Sequence, residues 1–133
     1  MILLDTHVLI WMDQDASELG SKARRRIARA ANDGEVAVSA ISFWEVAMLH
    51  AKGRIRLAIP VDRWRRDLLD AGLVELPVDG EAAIAAVSLP DLHPDPADRL
   101  VTATAQRTGA TLLTADRRLL AWRGRLERRD ARA

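Results

Sequence analysis

Short apolar runs alternate with helix-length amphipathic segments along the whole chain. No other feature of the sequence limits the fold as much. Met1-Ile2-Leu3-Leu4, Val36-Ala37-Val38-Ser39-Ala40, Leu73-Val74-Glu75-Leu76-Pro77-Val78 and Ala110-Thr111-Leu112-Leu113-Thr114 have the length and composition of buried strands. Between them, apolar residues recur every three or four positions, as in Leu19, Ala23, Ile27 and Ala30, or Trp64, Leu68 and Leu69. Strands separated by helices predict βαβ units. The expected fold is therefore α/β, a three-layer α/β/α sandwich with a mostly parallel central sheet. Right-handed crossovers put the C-terminal ends of parallel strands along one edge, which is where open sheets bind ligands.

Local signals set the boundaries. The spacing predicts a short helix over Thr6–Met12, and Ser17 is read as the cap of the next one. Asn32-Asp33-Gly34 is a turn. Ser42 and Glu45 have the Ser-x-x-Glu spacing of a capping box. Pro60 opens a helix that Gly72 ends, and Asp79 caps an alanine-rich one. Pro77 points to an edge strand or to an early end of that strand. Pro90 to Pro96 is an irregular loop, Pro96 opens a helix over Ala97–Thr108, and Asp116 starts the last. The 133 residues form a single domain, 1–133. Residues 124–133, basic and poor in apolar side chains, are expected to fray.

Composition removes several function classes. The absence of cysteine excludes a disulfide scaffold, a thiolate metal site and a cysteine nucleophile, and fits a cytoplasmic setting. No apolar segment is long enough to cross a bilayer, so a soluble, unprocessed protein without a membrane partner is expected. A net charge of +1 gives no general attraction to polyanions. All basic residues except Lys22 and Lys52 are arginine. That suits phosphate recognition, and an arginine-rich genome would give it equally.

Four acids stand out by position. Asp5 follows the first strand, Glu45 lies early in the helix after the second, and Asp116 follows the fourth. Asp98, in the first turn of its helix, joins them only if the loop before it stays at that edge. Singly, each reads as a helix-terminal acid stabilised by free N–H groups and the helix dipole. Together they would repel one another unless a divalent cation held them. With oxygen ligands alone the ion would be Mg²⁺ or Mn²⁺. His7, His50 and His93 have no partner at ligand spacing and are read as non-ligands. No nucleophile–base pair or phosphate loop appears, so the supported chemistry is metal-assisted phosphodiester hydrolysis. Arg99 is expected to pair with a neighbouring carboxylate and orient it. Trp44 and Trp64 are assigned to core or interface, and Trp11 to a groove that a second copy or a partner would fill.

Met1-Ile2-Leu3-Leu4-Asp5-Thr6-His7, Ser39-Ala40-Ile41-Ser42-Phe43-Trp44-Glu45, Asp95-Pro96-Ala97-Asp98-Arg99-Leu100 with Ala103-Thr104-Ala105, and Leu112-Leu113-Thr114-Ala115-Asp116 resemble the four signatures of the PIN domain. The resemblance is closest to VapC-type toxins of bacterial toxin–antitoxin pairs. It implies a PIN-like fold, a Mg²⁺- or Mn²⁺-dependent endoribonuclease acting on RNA, a cognate VapB-type antitoxin and a homodimer. Asp5, Glu45, Asp98 and Asp116 match the family's acidic quartet. Asp5, Asp98 and Asp116 are expected to hold the metal, and Glu45 to complete the shell or orient water. Thr6 and Thr114 match hydroxyls beside the quartet. Asp95 matches an acid that often precedes the third, and here it is read as shaping the turn. Relatives often end in a short edge strand that this tail does not clearly show. Two other readings stay open: a non-catalytic PIN-like interaction protein, and a phosphate-transfer module of receiver or phosphatase type.

Overall fold

A computed structural model describes residues 1–133. The elements run β1 (Ile2–Leu4), α1 (Thr6–Asp13), α2 (Ser21–Asn32), β2 (Val36–Ser39), α3 (Ala40–Ala51), α4 (Val61–Asp70), β3 (Val74–Leu76), α5 (Gly80–Val87), α6 (Pro96–Thr108), β4 (Thr111–Thr114), α7 (Arg117–Ala121) and β5 (Arg128–Asp130). The strands are ordered β3-β2-β1-β4-β5, and every pairing is parallel. β1 is central, with Leu3 level with Ala37 on one side and Leu112 on the other.

The pleat divides the core. Leu4, Val36, Val38 and Leu113 face a layer containing Val8, Leu9, Leu19, Ile27, Val46 and Trp64. Leu3, Ala37 and Leu112 face the other layer, with Leu89, Leu92, Val101, Leu119 and Trp122. Both faces are covered, so β1 is apolar at consecutive positions rather than alternating. Leu3 and Leu4 are fully buried, each worth about 2 kcal/mol of transfer free energy. β3, whose strand ends before Pro77, lies at one edge as expected.

Three local expectations are corrected. Ser17 does not cap α2: Gly20 holds that position. A Cβ on Gly20 would lie 2.1 Å from the Ala133 carbonyl oxygen, which accepts hydrogen bonds from Lys22 and Ala23. Ser42 and Glu45 form no capping box, because α3 starts three residues earlier than Ser42 would require, with the Ser39 hydroxyl accepting from Ile41 N.

The third correction concerns residues 124–133, which do not fray. Arg128–Asp130 forms β5, with Leu112 N donating to Glu127 O and Ala131 N to Thr114 O, each at 2.8 Å. Ala131 is fully buried. An edge strand of this kind needs backbone pairing more than apolar side chains, and its arginines find carbonyl acceptors. Arg128 donates to Leu120, Trp122 and Leu126, and Arg132 to Ala115.

Candidate active site

The C-terminal ends of β1, β2 and β4 carry Asp5, Ser39 and Thr114. β1 runs into Asp5, which turns the backbone out of the sheet as the N-cap of α1. Its Oδ1 accepts from Thr6 N at 2.9 Å and its Oδ2 from Thr114 Oγ1 at 2.7 Å. Thr114 Oγ1 accepts in turn from Asp116 N at 3.0 Å, so one hydroxyl couples the first and last acids. Asp5 is only 4% exposed. Burial pushes its carboxyl above the ordinary range, against the pull of Thr114, Thr6 and His7, while the Asp116 charge adds to the rise.

Glu45, one turn beyond the start of α3, reaches the same edge. Thr6 Oγ1 lies 2.5 Å from Glu45 Oε1 and 2.8 Å from Ser42 Oγ. A carboxylate only accepts, so the threonine proton goes to Glu45. Burial raises the Glu45 carboxyl, the Thr6 hydrogen bond lowers it, and the charges of Asp5, Asp98 and Asp95 raise it further.

Asp98 arrives by a different route. Asp95 caps α6, with its Oδ1 accepting from Asp98 N at 3.0 Å, and Pro96 occupies the first helical position. The loop before α6 stays at the sheet edge, as the fourth acid requires. Asp98 Oδ2 is 2.6 Å from His93 Nε2 and 3.9 Å from Arg118 Nη2. Burial is the main cause that lifts Asp98 to about 6; His93 opposes it, and the charges of Asp5, Asp95 and Asp116 reinforce it.

Asp116 caps α7, with Oδ1 accepting from Arg118 N at 2.8 Å and Leu119 N at 3.4 Å. Its Oδ2 is 3.3 Å from Arg118 Nη2. Burial raises this carboxyl too. Hydrogen bonds from the Arg118 side chain and from the Arg118 and Leu119 backbone outweigh it, so Asp116 sits below the ordinary range.

The structure therefore brings Asp5, Glu45, Asp98 and Asp116 to one edge, each within reach of another's charge. Three lie above their ordinary proton affinity, and the guanidinium of Arg118 is the cation that touches the group. Glu45 Oε2 and Asp98 Oδ1 accept no hydrogen bond. Half-buried carboxylates with spare oxygens and no thiolate suit a hard divalent cation. His93, Asp98 and Asp116 each offer an atom within 4.8 Å of the others. Beside Asp5 and Asp116 opens a cleft of about 160 Å³, also lined by His7, Trp11, Ala115 and Arg132.

One expectation fails here. Arg99 does not touch a carboxylate; its guanidinium donates to the carbonyls of Ala86, Leu89, Leu92 and His93. A planar five-donor group buried under a proline-rich loop finds backbone oxygens first. His93, read as a non-ligand, does have a neighbour that the sequence did not show: the loop folds back across five residues and sets the ring against Asp98. Arg118 was not singled out either; its position in the first turn after Asp116 was the available signal. Of the tryptophans, Trp64 is core as expected, whereas Trp44 is 57% exposed.

The PIN domain family model matches residues 2–123. The chain belongs to the PIN domain family. This PIN domain is 42% identical to Ribonuclease VapC22 of Mycobacterium tuberculosis over 119 residues, covering 89% of this chain and 88% of that protein. Solved structures that share its fold include two toxin–antitoxin complexes. One is VapBC2 from Rickettsia felis bound to a promoter DNA fragment (TM-score 0.73, 16% identity, 98% of each chain covered). The other is DNA-bound VapBC from Salmonella typhimurium (TM-score 0.70, 20% identity, 97% of this chain and 96% of that one covered). The acids of this PIN domain thus lie in the four segments on which its likeness to the family rested.

Proposed function

We propose that this PIN domain is a Mg²⁺- or Mn²⁺-dependent endoribonuclease and the toxin of a toxin–antitoxin pair. The observation that carries the reading is the convergence of Asp5, Glu45, Asp98 and Asp116 from four distant segments of a chain 42% identical to Ribonuclease VapC22. Asp5, Asp98 and Asp116 hold the cation, with Glu45 beside them. A divalent cation supplies Lewis-acid chemistry there, offsetting charge on a phosphodiester and easing deprotonation of the attacking water.

The chain's own groups prepare that step. Thr6 N and Thr114 fix the Asp5 carboxylate in one orientation. Glu45, its proton affinity raised by burial, is suited to orient the attacking water and take its proton. Arg118 is 62% exposed and free to turn from Asp116 towards a substrate phosphate. Thr6 binds Glu45 and Asp95 caps α6, so both act by placing acids.

Asp5→Asn and Asp98→Asn should each abolish cleavage of RNA in Mn²⁺ while leaving the circular dichroism spectrum intact. Undiminished cleavage by both folded variants would overturn the reading.

The partner is a VapB-type antitoxin, a reading supported by the VapBC complexes that share the fold. The protein also pairs with itself. Ile84 and Val87, one turn apart on α5, are 75% and 80% exposed, the kind of apolar surface that marks an interface. Sedimentation should give a dimer for the wild type and a monomer for Ile84→Glu/Val87→Glu; an unchanged dimer excludes α5.

A further inference from the structure

We propose that His93 is a positioning residue of the cation site: donating from Nε2, it fixes Asp98 and stays out of the ion's coordination. The proposal rests on the reading of the four acids as a cation site and assigns a role within it.

The imidazole is built in. Arg99 Nε donates to His93 O at 3.0 Å, and the same guanidinium holds the carbonyls of Ala86, Leu89 and Leu92. Trp122 Nε1 donates to Pro90 O at 2.8 Å, and Leu92 is buried. The loop is therefore tied at several points before it delivers His93, whose side chain is 10% exposed.

The two ring nitrogens are in different situations. Nε2 lies 2.6 Å from Asp98 Oδ2, while Nδ1 is buried without a partner. A proton on Nδ1 would be an orphaned buried donor, which native structures rarely tolerate; an unshared lone pair is the smaller cost. The proton therefore resides on Nε2 and is donated to Asp98. In that tautomer Nε2 has no lone pair to offer, and the lone pair of Nδ1 faces protein. The ring is close enough to Asp98 and Asp116 to resemble a ligand. Its hydrogen bond instead takes up Oδ2 and leaves Asp98 Oδ1 free.

Groups that hold a ligating carboxylate in this way typically change metal affinity about 10- to 100-fold when removed. The test is Mn²⁺ binding to the cation-free full chain, read from the paramagnetic resonance of free Mn²⁺. His93→Ala should weaken binding about 10- to 100-fold. His93→Gln, which keeps an N–H at the Nε2 position, should restore it to within a few-fold. Imidazole-nitrogen echo modulation of bound Mn²⁺ should be the same in wild type and His93→Gln. Modulation that disappears in His93→Gln would make His93 a ligand and overturn the proposal, as would unweakened binding by His93→Ala. If His93→Ala does not fold, the glutamine variant and the echo comparison still decide. A wild-type chain that binds no Mn²⁺ would overturn the cation site itself; a wild type that binds, with His93→Ala equal to it, would overturn only the role of His93.

Discussion

Three carboxyls at the sheet edge, Asp5, Glu45 and Asp98, take protons more readily in the folded chain than in the unfolded one. Asp98 does so at about 6 against an ordinary 3.8. Between those values the folded state carries the additional proton, so stability falls as pH rises through that window and stays lower above it. For Asp98 the cost is on the order of 3 kcal/mol. Asp116, lowered instead, contributes stability above its unfolded value and loses it in acid. The cation-free chain should therefore melt at higher temperature near about pH 5 than near about pH 8. On the proposed reading Mn²⁺ binds the deprotonated acids, and it should then raise the melting temperature much more at the higher pH. Differential scanning calorimetry at both pH values checks this, and an equal Mn²⁺ effect at the two would contradict it.

The strands and most helices were legible from the sequence because each has its own local signal: an apolar run for β1 and β4, Pro96 at the start of α6, Asp116 before α7. β5 was not. Its pairing is a property of the open edge of β4, and nothing within Arg128–Asp130 encodes that edge. The same division holds at the site. Asp5 and Asp116 stand at strand ends and could be placed by counting. Arg99 and His93 could not, because their partners depend on how the loop before α6 folds back. The Ser42–Glu45 spacing misled for a related reason: Ser42 bonds Thr6 across the sheet edge instead of closing its own helix. β5 also supports the site, since Ala131 N donates to the carbonyl of Thr114, the residue that holds Asp5. Deleting Arg128 to Ala133 should cost about 2 kcal/mol or more and expose β4 as an aggregation-prone edge. Urea titration and light scattering measure both, and a truncated chain as stable as the full one would show β5 to be dispensable.

Across the whole molecule the acids are held from the centre outward. β1 pairs with a neighbour on each side and is covered on both faces, and Asp5 N donates to Leu113 O at 3.0 Å. Amides in such a strand exchange with solvent only when the entire domain opens. The Asp5 amide should thus be among the slowest in the chain by hydrogen–deuterium exchange, with a protection factor that tracks global stability; fast exchange there would refute this. On the proposed reading, a catalytic carboxylate rooted in the central strand has no partly unfolded resting state. Such an enzyme is switched on whenever it is folded, so restraint has to be imposed from outside, molecule for molecule. The amount of an inhibitor made relative to the enzyme, and how quickly that inhibitor is destroyed, then set how long a cell stays protected.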